Sequence, residues 1–158
     1  MFLACAPLPP VPMAAGGPAA PSPAAPPIAT IDEADLAVLL QNHTGRLLVV
    51  NFWATWCGPC VTELATLAGA ALRSPDVRFA LVNVDEGEAN SLPPFVLRHG
   101  IRLPLYHLEV ADPPSSLQRV VQGWPDIIPV TLVVEPGGNV RQAFSGAVAA
   151  ESLLAALR

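Results

Sequence analysis

The sequence predicts an α/β domain in which helices cover both faces of a central mixed β-sheet. Two apolar runs, Leu47–Trp53 and Val77–Val84, have the length and continuity of strands buried on both sides. Between them, Gly58–Leu72 carries apolar residues at helical spacing. Near the C-terminus, Val130–Glu135 and Asn139–Ser145 flank Pro136-Gly137-Gly138, the signature of a β-hairpin. Strand–helix–strand–helix followed by a hairpin and a last helix implies a mixed sheet.

Residues 1–27 read as a leader or linker outside that domain. Residues 6–27 are nearly all Pro, Ala and Gly and hold nine of the chain's 19 prolines, a density that no helix or sheet ladder sustains. A semi-extended spacer and an unattached tail fit this composition equally. Phe2-Leu3-Ala4-Cys5 resembles the end of a bacterial lipoprotein signal, with small residues before the cysteine, although that pattern prefers Leu where Phe2 stands. Cys5 is therefore a lipidation candidate on a chain that starts upstream. An incidental thiol is the competing reading.

The domain is expected over 28–158. Asp32–Leu40 reads as a short helix and Asn42-His43-Thr44-Gly45 as a turn before the first buried strand. The helix Gly58–Leu72 places Val61, Leu64, Ala65, Ala68 and Ala71 on one face. After Val77–Val84 come a helix at Ser91–His99, a short strand at Leu105–Glu109 and a helix at Ser115–Val121. The hairpin follows, and Ala149–Leu157 closes the domain as a helix. No run of about 20 apolar residues is present, so no transmembrane helix is expected.

Composition narrows the function. Hydrophobic residues make up 52% and charged residues 13%, enough apolar material for a packed core. The formal charge is −5 and all eight basic residues are arginines scattered without a cluster, which argues against a nucleic-acid partner. Three cysteines cannot form an even disulfide framework, which leaves a redox pair, a metal pair or a lone thiol.

The chemistry concentrates in Trp56-Cys57-Gly58-Pro59-Cys60, just after a buried strand and at the start of a helix. Residues three apart on a helix share a face with Cβ atoms about 5–6 Å apart, a small adjustment from disulfide geometry. Unpaired N–H groups and the helix dipole favour a thiolate at the first cysteine and lower its pKa from about 8.5 into a range of roughly 3.5–7.5. Cys57 is then the attacking thiolate and Cys60 the resolving thiol. Pro59 has no N–H to lose this early in a helix, and it stiffens the pair.

This motif resembles the active site of the thioredoxin superfamily. With Asn51-Phe52-Trp53-Ala54-Thr55 before it and Glu63 after it, the chain is similar to the TlpA- and ResA-like branch, over about residues 30–158. The resemblance implies a thioredoxin-like fold and a membrane-tethered, periplasmic or otherwise extracytoplasmic thiol–disulfide reductase. It implies that Pro129, in Ile127-Ile128-Pro129-Val130-Thr131, is a cis-proline beside the redox pair, with Ile128 offering backbone groups to a bound substrate chain. Glu63 lies where ResA-like proteins carry a glutamate that raises thiol pKa values and shuttles protons; a solvated first-turn glutamate is the bland alternative. Asn51 departs from the buried aspartate usual in cytosolic thioredoxins. Gly146 falls where thioredoxins place a glycine near the substrate groove, and a tight-turn role is equally open.

Implied partners are protein disulfides such as apocytochrome c, with its Cys-x-x-Cys-His, or copper-site assembly proteins. A membrane thiol electron donor is implied as well. No cofactor beyond the Cys57–Cys60 disulfide and no metal site is expected, since His43, His99 and His107 are scattered. A disulfide oxidase or isomerase on the same fold, or a Cu(I)-binding thiol protein, is the alternative. A peroxidase fits less well, because its reactive cysteine does not sit in a Cys-x-x-Cys.

Overall fold

The computed structural model describes residues 25–87 and 89–158; Cys5 and most of the leader lie outside them. Elements run in the order β1 (Ile28–Ile31), α1 (Glu33–Gln41), β2 (Leu48–Trp53), α2 (Gly58–Arg73), β3 (Arg78–Asn83), α3 (Leu92–Arg98), β4 (Leu105–Leu108), α4 (Pro113–Val120), β5 (Val130–Val134), β6 (Val140–Ser145) and α5 (Ala150–Ala156). A single 3-10 turn, Ala89–Ser91, leads into α3.

The six strands form one sheet in the order β1-β4-β3-β2-β5-β6. β1, β4, β3 and β2 are parallel, and β5 and β6 add an antiparallel hairpin. This is the mixed sheet that the element order implies.

β2 occupies the centre, and all six of its residues are buried. Alternation along the strand sends Asn51 and Trp53 to one face and Phe52 to the other. Asn51 meets α2 and Trp53 meets Phe95 of α3, with ring centroids 5.7 Å apart. Phe52 packs edge-on against Trp124, at 5.2 Å. Two successive crossovers in one direction, β2–α2–β3 and β3–α3–β4, lay α2 and α3 on the same face when right-handed. α5 packs against α2, and α1 packs against α4.

Two boundaries differ from expectation. β1 was not foreseen, because Ile28-Ala29-Thr30-Ile31 is short, follows two prolines and buries only Ile31. Its strand state comes from pairing with β4 at the sheet edge. α4 starts two residues earlier than the periodicity indicates. Asp112 caps it by accepting the Ser115 N–H at 3.2 Å, and prolines fill the first turn, where no intrahelical donor is lost.

The hairpin turn docks on the end of α1. Gly137 donates to the Asn42 carbonyl at 3.2 Å, and a Cβ on Gly138 would stand 3.1 Å from Gln41 Cα at a φ of +93°. Only glycine combines that left-handed conformation with so close an approach.

Candidate active site

β2 delivers the chain to the redox motif. After Trp53, a turn closes with the Cys57 N–H donating to the Ala54 carbonyl at 3.2 Å, and α2 begins at Gly58. Cys57 is the N-cap, and its sulfur accepts the Cys60 N–H at 3.3 Å. Pro59 sits in the first turn, where its missing donor costs nothing. Cys57 and Cys60 are joined in a disulfide across 5.2 Å between Cα atoms.

The two sulfurs are not equivalent. Cys57 keeps 6% of its surface exposed, and Cys60 is wholly buried beneath it. Trp56 stands beside the pair at 73% exposure, whereas Trp53 is sealed in the core.

The structure brings Ile128 and Pro129 to this point from the start of β5, the antiparallel neighbour of β2. The Cys57 sulfur lies 3.9 Å from the Ile128 carbonyl oxygen, and the Ile128–Pro129 peptide bond is cis. Gly146, at the end of the hairpin, donates to the Pro129 carbonyl at 2.8 Å.

Glu63 is not a solvated first-turn glutamate. It is 2% exposed and accepts three hydrogen bonds: from the Val148 N–H at 2.7 Å, Asn51 Nδ2 at 2.9 Å and Thr131 Oγ1 at 3.4 Å. Burial pushes its carboxyl above the usual glutamate range, and the three donors offset only part of that push. Asn51 spends both amide hydrogens, one on Glu63 and one on Thr131 at 2.9 Å. Its departure from aspartate thus has a structural counterpart, since the buried carboxylate stands on the neighbouring helix and Asn51 is its donor. Among the described residues, Asn51 Oδ1 and Trp53 Nε1 are buried without a partner.

A cleft of about 880 Å³ opens beside Cys57. Trp56, Trp124, Leu117, Ile127 and Ile128 supply apolar wall, and Asp85, Glu86 and Asp126 supply carboxylates with no basic residue among the lining. The three histidines sit in separate settings. His43 bonds Gln41 at the surface, His99 stacks on Phe95, and His107 is buried against Asn83 and Gly87. Among the described residues, no three His, Cys, Asp or Glu side chains gather into a metal-holding group.

Three participants escaped the sequence reading: Thr131, the Val148 N–H and Asp85. Thr131 was findable, because it lies two residues beyond Pro129 on the inward face and pairs in register with Asn51. Asp85 follows the apolar run Val77–Val84 at the C-terminal end of a central parallel strand, the usual place for site residues in such sheets. The Val148 N–H has no signature in sequence.

Known proteins resemble this chain in sequence and in fold. The chain is 27% identical over 116 residues to the thiol–disulfide oxidoreductase ResA of Geobacillus kaustophilus, covering 72% of this chain and 63% of the relative. It spans roughly three-fifths of the length of such curated relatives. Among solved structures, StoA from Bacillus subtilis superposes with a TM-score of 0.59 at 20% identity, over 72% of this chain and 84% of that one. A secreted thiol–disulfide isomerase from Corynebacterium glutamicum gives 0.61 at 23% identity, over 72% and 69%. These likenesses identify the fold as thioredoxin-like. The AhpC/TSA family model matches residues 19–143, most of the sequence, and the chain belongs to that family.

Proposed function

We propose that this protein is a thiol–disulfide oxidoreductase that reduces protein disulfides outside the cytoplasm. The observation that carries the reading is the pairing of a rim sulfur with a buried one. Cys57 caps α2 at the edge of the cleft, and Cys60 lies beneath it within disulfide reach.

In the reduced protein the Cys57 thiolate attacks one sulfur of a client disulfide. A Cys57–client bond forms, and the other client sulfur leaves as a thiolate that takes up a proton. Cys60 then loses its proton and attacks the Cys57 sulfur, which closes the Cys57–Cys60 bond and releases the second client thiol. Two electrons pass to the client, and the cysteines alone carry them, with no added cofactor. A dithiol donor at the membrane returns the protein to its reduced state. Glu63, on the same helix face one turn beyond Cys60, is the proton acceptor in this scheme.

Ile128 and Pro129 form the ledge on which the client backbone rests, and Trp56 is the apolar platform beside it. The carboxylates of the cleft favour a client segment with cationic side chains next to its cysteines. Apocytochrome c, with a Cys-x-x-Cys-His, and copper-site assembly proteins are clients of the fitting class. A secreted protein of the same fold supports a place outside the cytoplasm. No helix among the described residues is long and apolar enough to cross a membrane. The tether in this reading is the N-terminal segment, with Cys5 as its attachment point.

The direction of transfer is tested by equilibrating the protein with glutathione. Gly58-Pro59 between the cysteines leads us to expect a midpoint near that of thioredoxin, about −270 mV. A value above about −180 mV would place the protein with oxidases and isomerases instead. The cleft has its own test in Glu86→Arg, which is expected to raise KM for an Arg-flanked peptide disulfide about fivefold and leave kcat unchanged, an effect that fades with added salt. A KM indifferent to this reversal would remove the electrostatic part of client selection.

A further inference from the structure

We infer that Asp85 is a positioning residue for the redox loop, an inference that rests on the proposed oxidoreductase reading. The backbone ladder between β2 and β3 ends where Val84 N–H donates to the Trp53 carbonyl at 2.9 Å. Beyond that point the two strands separate, and the next inward donor on the β2 side is the Thr55 N–H. The Asp85 side chain takes over as its acceptor, with carboxylate oxygens at 3.0 and 3.3 Å. Thr55 is the second residue of the Ala54–Cys57 turn, so this bond holds the turn that presents both Trp56 and Cys57.

The carboxylate is itself held rigidly. Asn83 Nδ2 donates to Asp85 Oδ2 at 3.1 Å, and the Asp85 N–H donates back to Asn83 Oδ1 at 3.2 Å. Asn83 is fully buried and in register with His107 on β4, whose ring reaches Asn83 Oδ1 at 2.9 Å and the Gly87 carbonyl at 2.7 Å. A polar chain therefore runs from β4 through the end of β3 to the residue two before Cys57. A site residue is located most accurately when its support is anchored on strands, and a hydrogen bond to a charged acceptor is stronger than a neutral one. Asp85 also lines the cleft beside Trp56, so the loop is set at the place where a client docks.

Two variants separate positioning from charge. Asp85→Asn keeps an oxygen acceptor for the Thr55 N–H and drops the charge, and Asp85→Ala drops both. With a peptide disulfide of uncharged flanks as substrate, Asp85→Ala is expected to lose about tenfold or more in kcat/KM, the scale of a displaced reacting group, and Asp85→Asn to recover most of it. Alkylation of reduced Cys57 by iodoacetamide needs no docking and should stay within about threefold of the parent in both variants. Amide hydrogen exchange across residues 54–57 should quicken about tenfold in Asp85→Ala and return toward the parent rate in Asp85→Asn. Unchanged exchange and turnover in Asp85→Ala would overturn the inference, as would equal losses in the two variants or alkylation shifted as far as turnover. A parent protein that reduces no peptide disulfide would overturn the proposed function, while the exchange measurement still decides the role of Asp85.

Discussion

Cys60→Ala is expected to trap a client on Cys57 as a stable mixed disulfide, and Cys57→Ser to trap none. Both follow from the depth difference between the two sulfurs. A client disulfide reaches Cys57 at the cleft edge, whereas Cys60 has no exposed surface through which to attack it. Cys57 also sits at the N-cap of α2, where the Cys60 N–H donates to its sulfur and the helix dipole favours the thiolate. Removing Cys60 leaves the first exchange intact and abolishes the intramolecular step that releases the client. Multiple-turnover reduction of a peptide disulfide should fall on the order of 10³-fold or more in either variant, because the two thiols act as one unit. Non-reducing electrophoresis and mass spectrometry distinguish them. Capture by Cys57→Ser in place of Cys60→Ala would reverse the assignment of the nucleophile.

Glu63 carries the second large effect. Glu63→Ala removes the acceptor for the Val148 N–H and for two side-chain donors inside the core. Leaving such groups unpaired is expected to cost about 3 kcal/mol, read as a lower denaturation midpoint in urea. Glu63→Gln keeps the shape and removes the titration, so it isolates the charge. Burial raises the Glu63 pKa, so between the ordinary carboxylate range and its raised value the folded protein binds more protons than the unfolded chain. The contribution of this group to stability is therefore full in acid and is lost as pH rises through the raised value. The stability of the parent relative to Glu63→Gln should decline from about pH 4 upward, and a difference flat to about pH 8 would refute the raised pKa. If Glu63 accepts the Cys60 proton, Glu63→Gln should also slow release of the mixed disulfide by about 10²-fold.

Much of this site was legible in the sequence because its parts are local. The Cys57/Cys60 spacing, the helix start and the preceding apolar strand all lie within residues 47–60, and each has its own physical signature. Pro129 is 69 positions beyond Cys60; its place beside Cys57 was read from a resemblance in motif order, since spacing alone says nothing across that distance. The Glu63 environment was legible only in part. A carboxylate three residues after Cys60 is visible on the page, but its burial depends on Asn51, Thr131 and Val148, which arrive from β2, β5 and the segment before α5.

By itself, then, the sequence determined the α/β class, the helices and the central strands, and the place of the Cys57–Cys60 pair at a helix start, because short-range periodicity and capping chemistry act between near neighbours. The tertiary structure alone decided three things. It made β1 a strand, since four weakly patterned residues become one only by pairing with β4. It converted Glu63 from a helix-face residue into a buried carboxylate by bringing β2, β5 and the segment before α5 against it. It also drew Asp85 onto the Thr55 N–H, because the register of β2 against β3 decides which side chain stands where the ladder ends. Each of these depends on contacts between segments distant in the chain, whose energies exist only after the sheet has assembled.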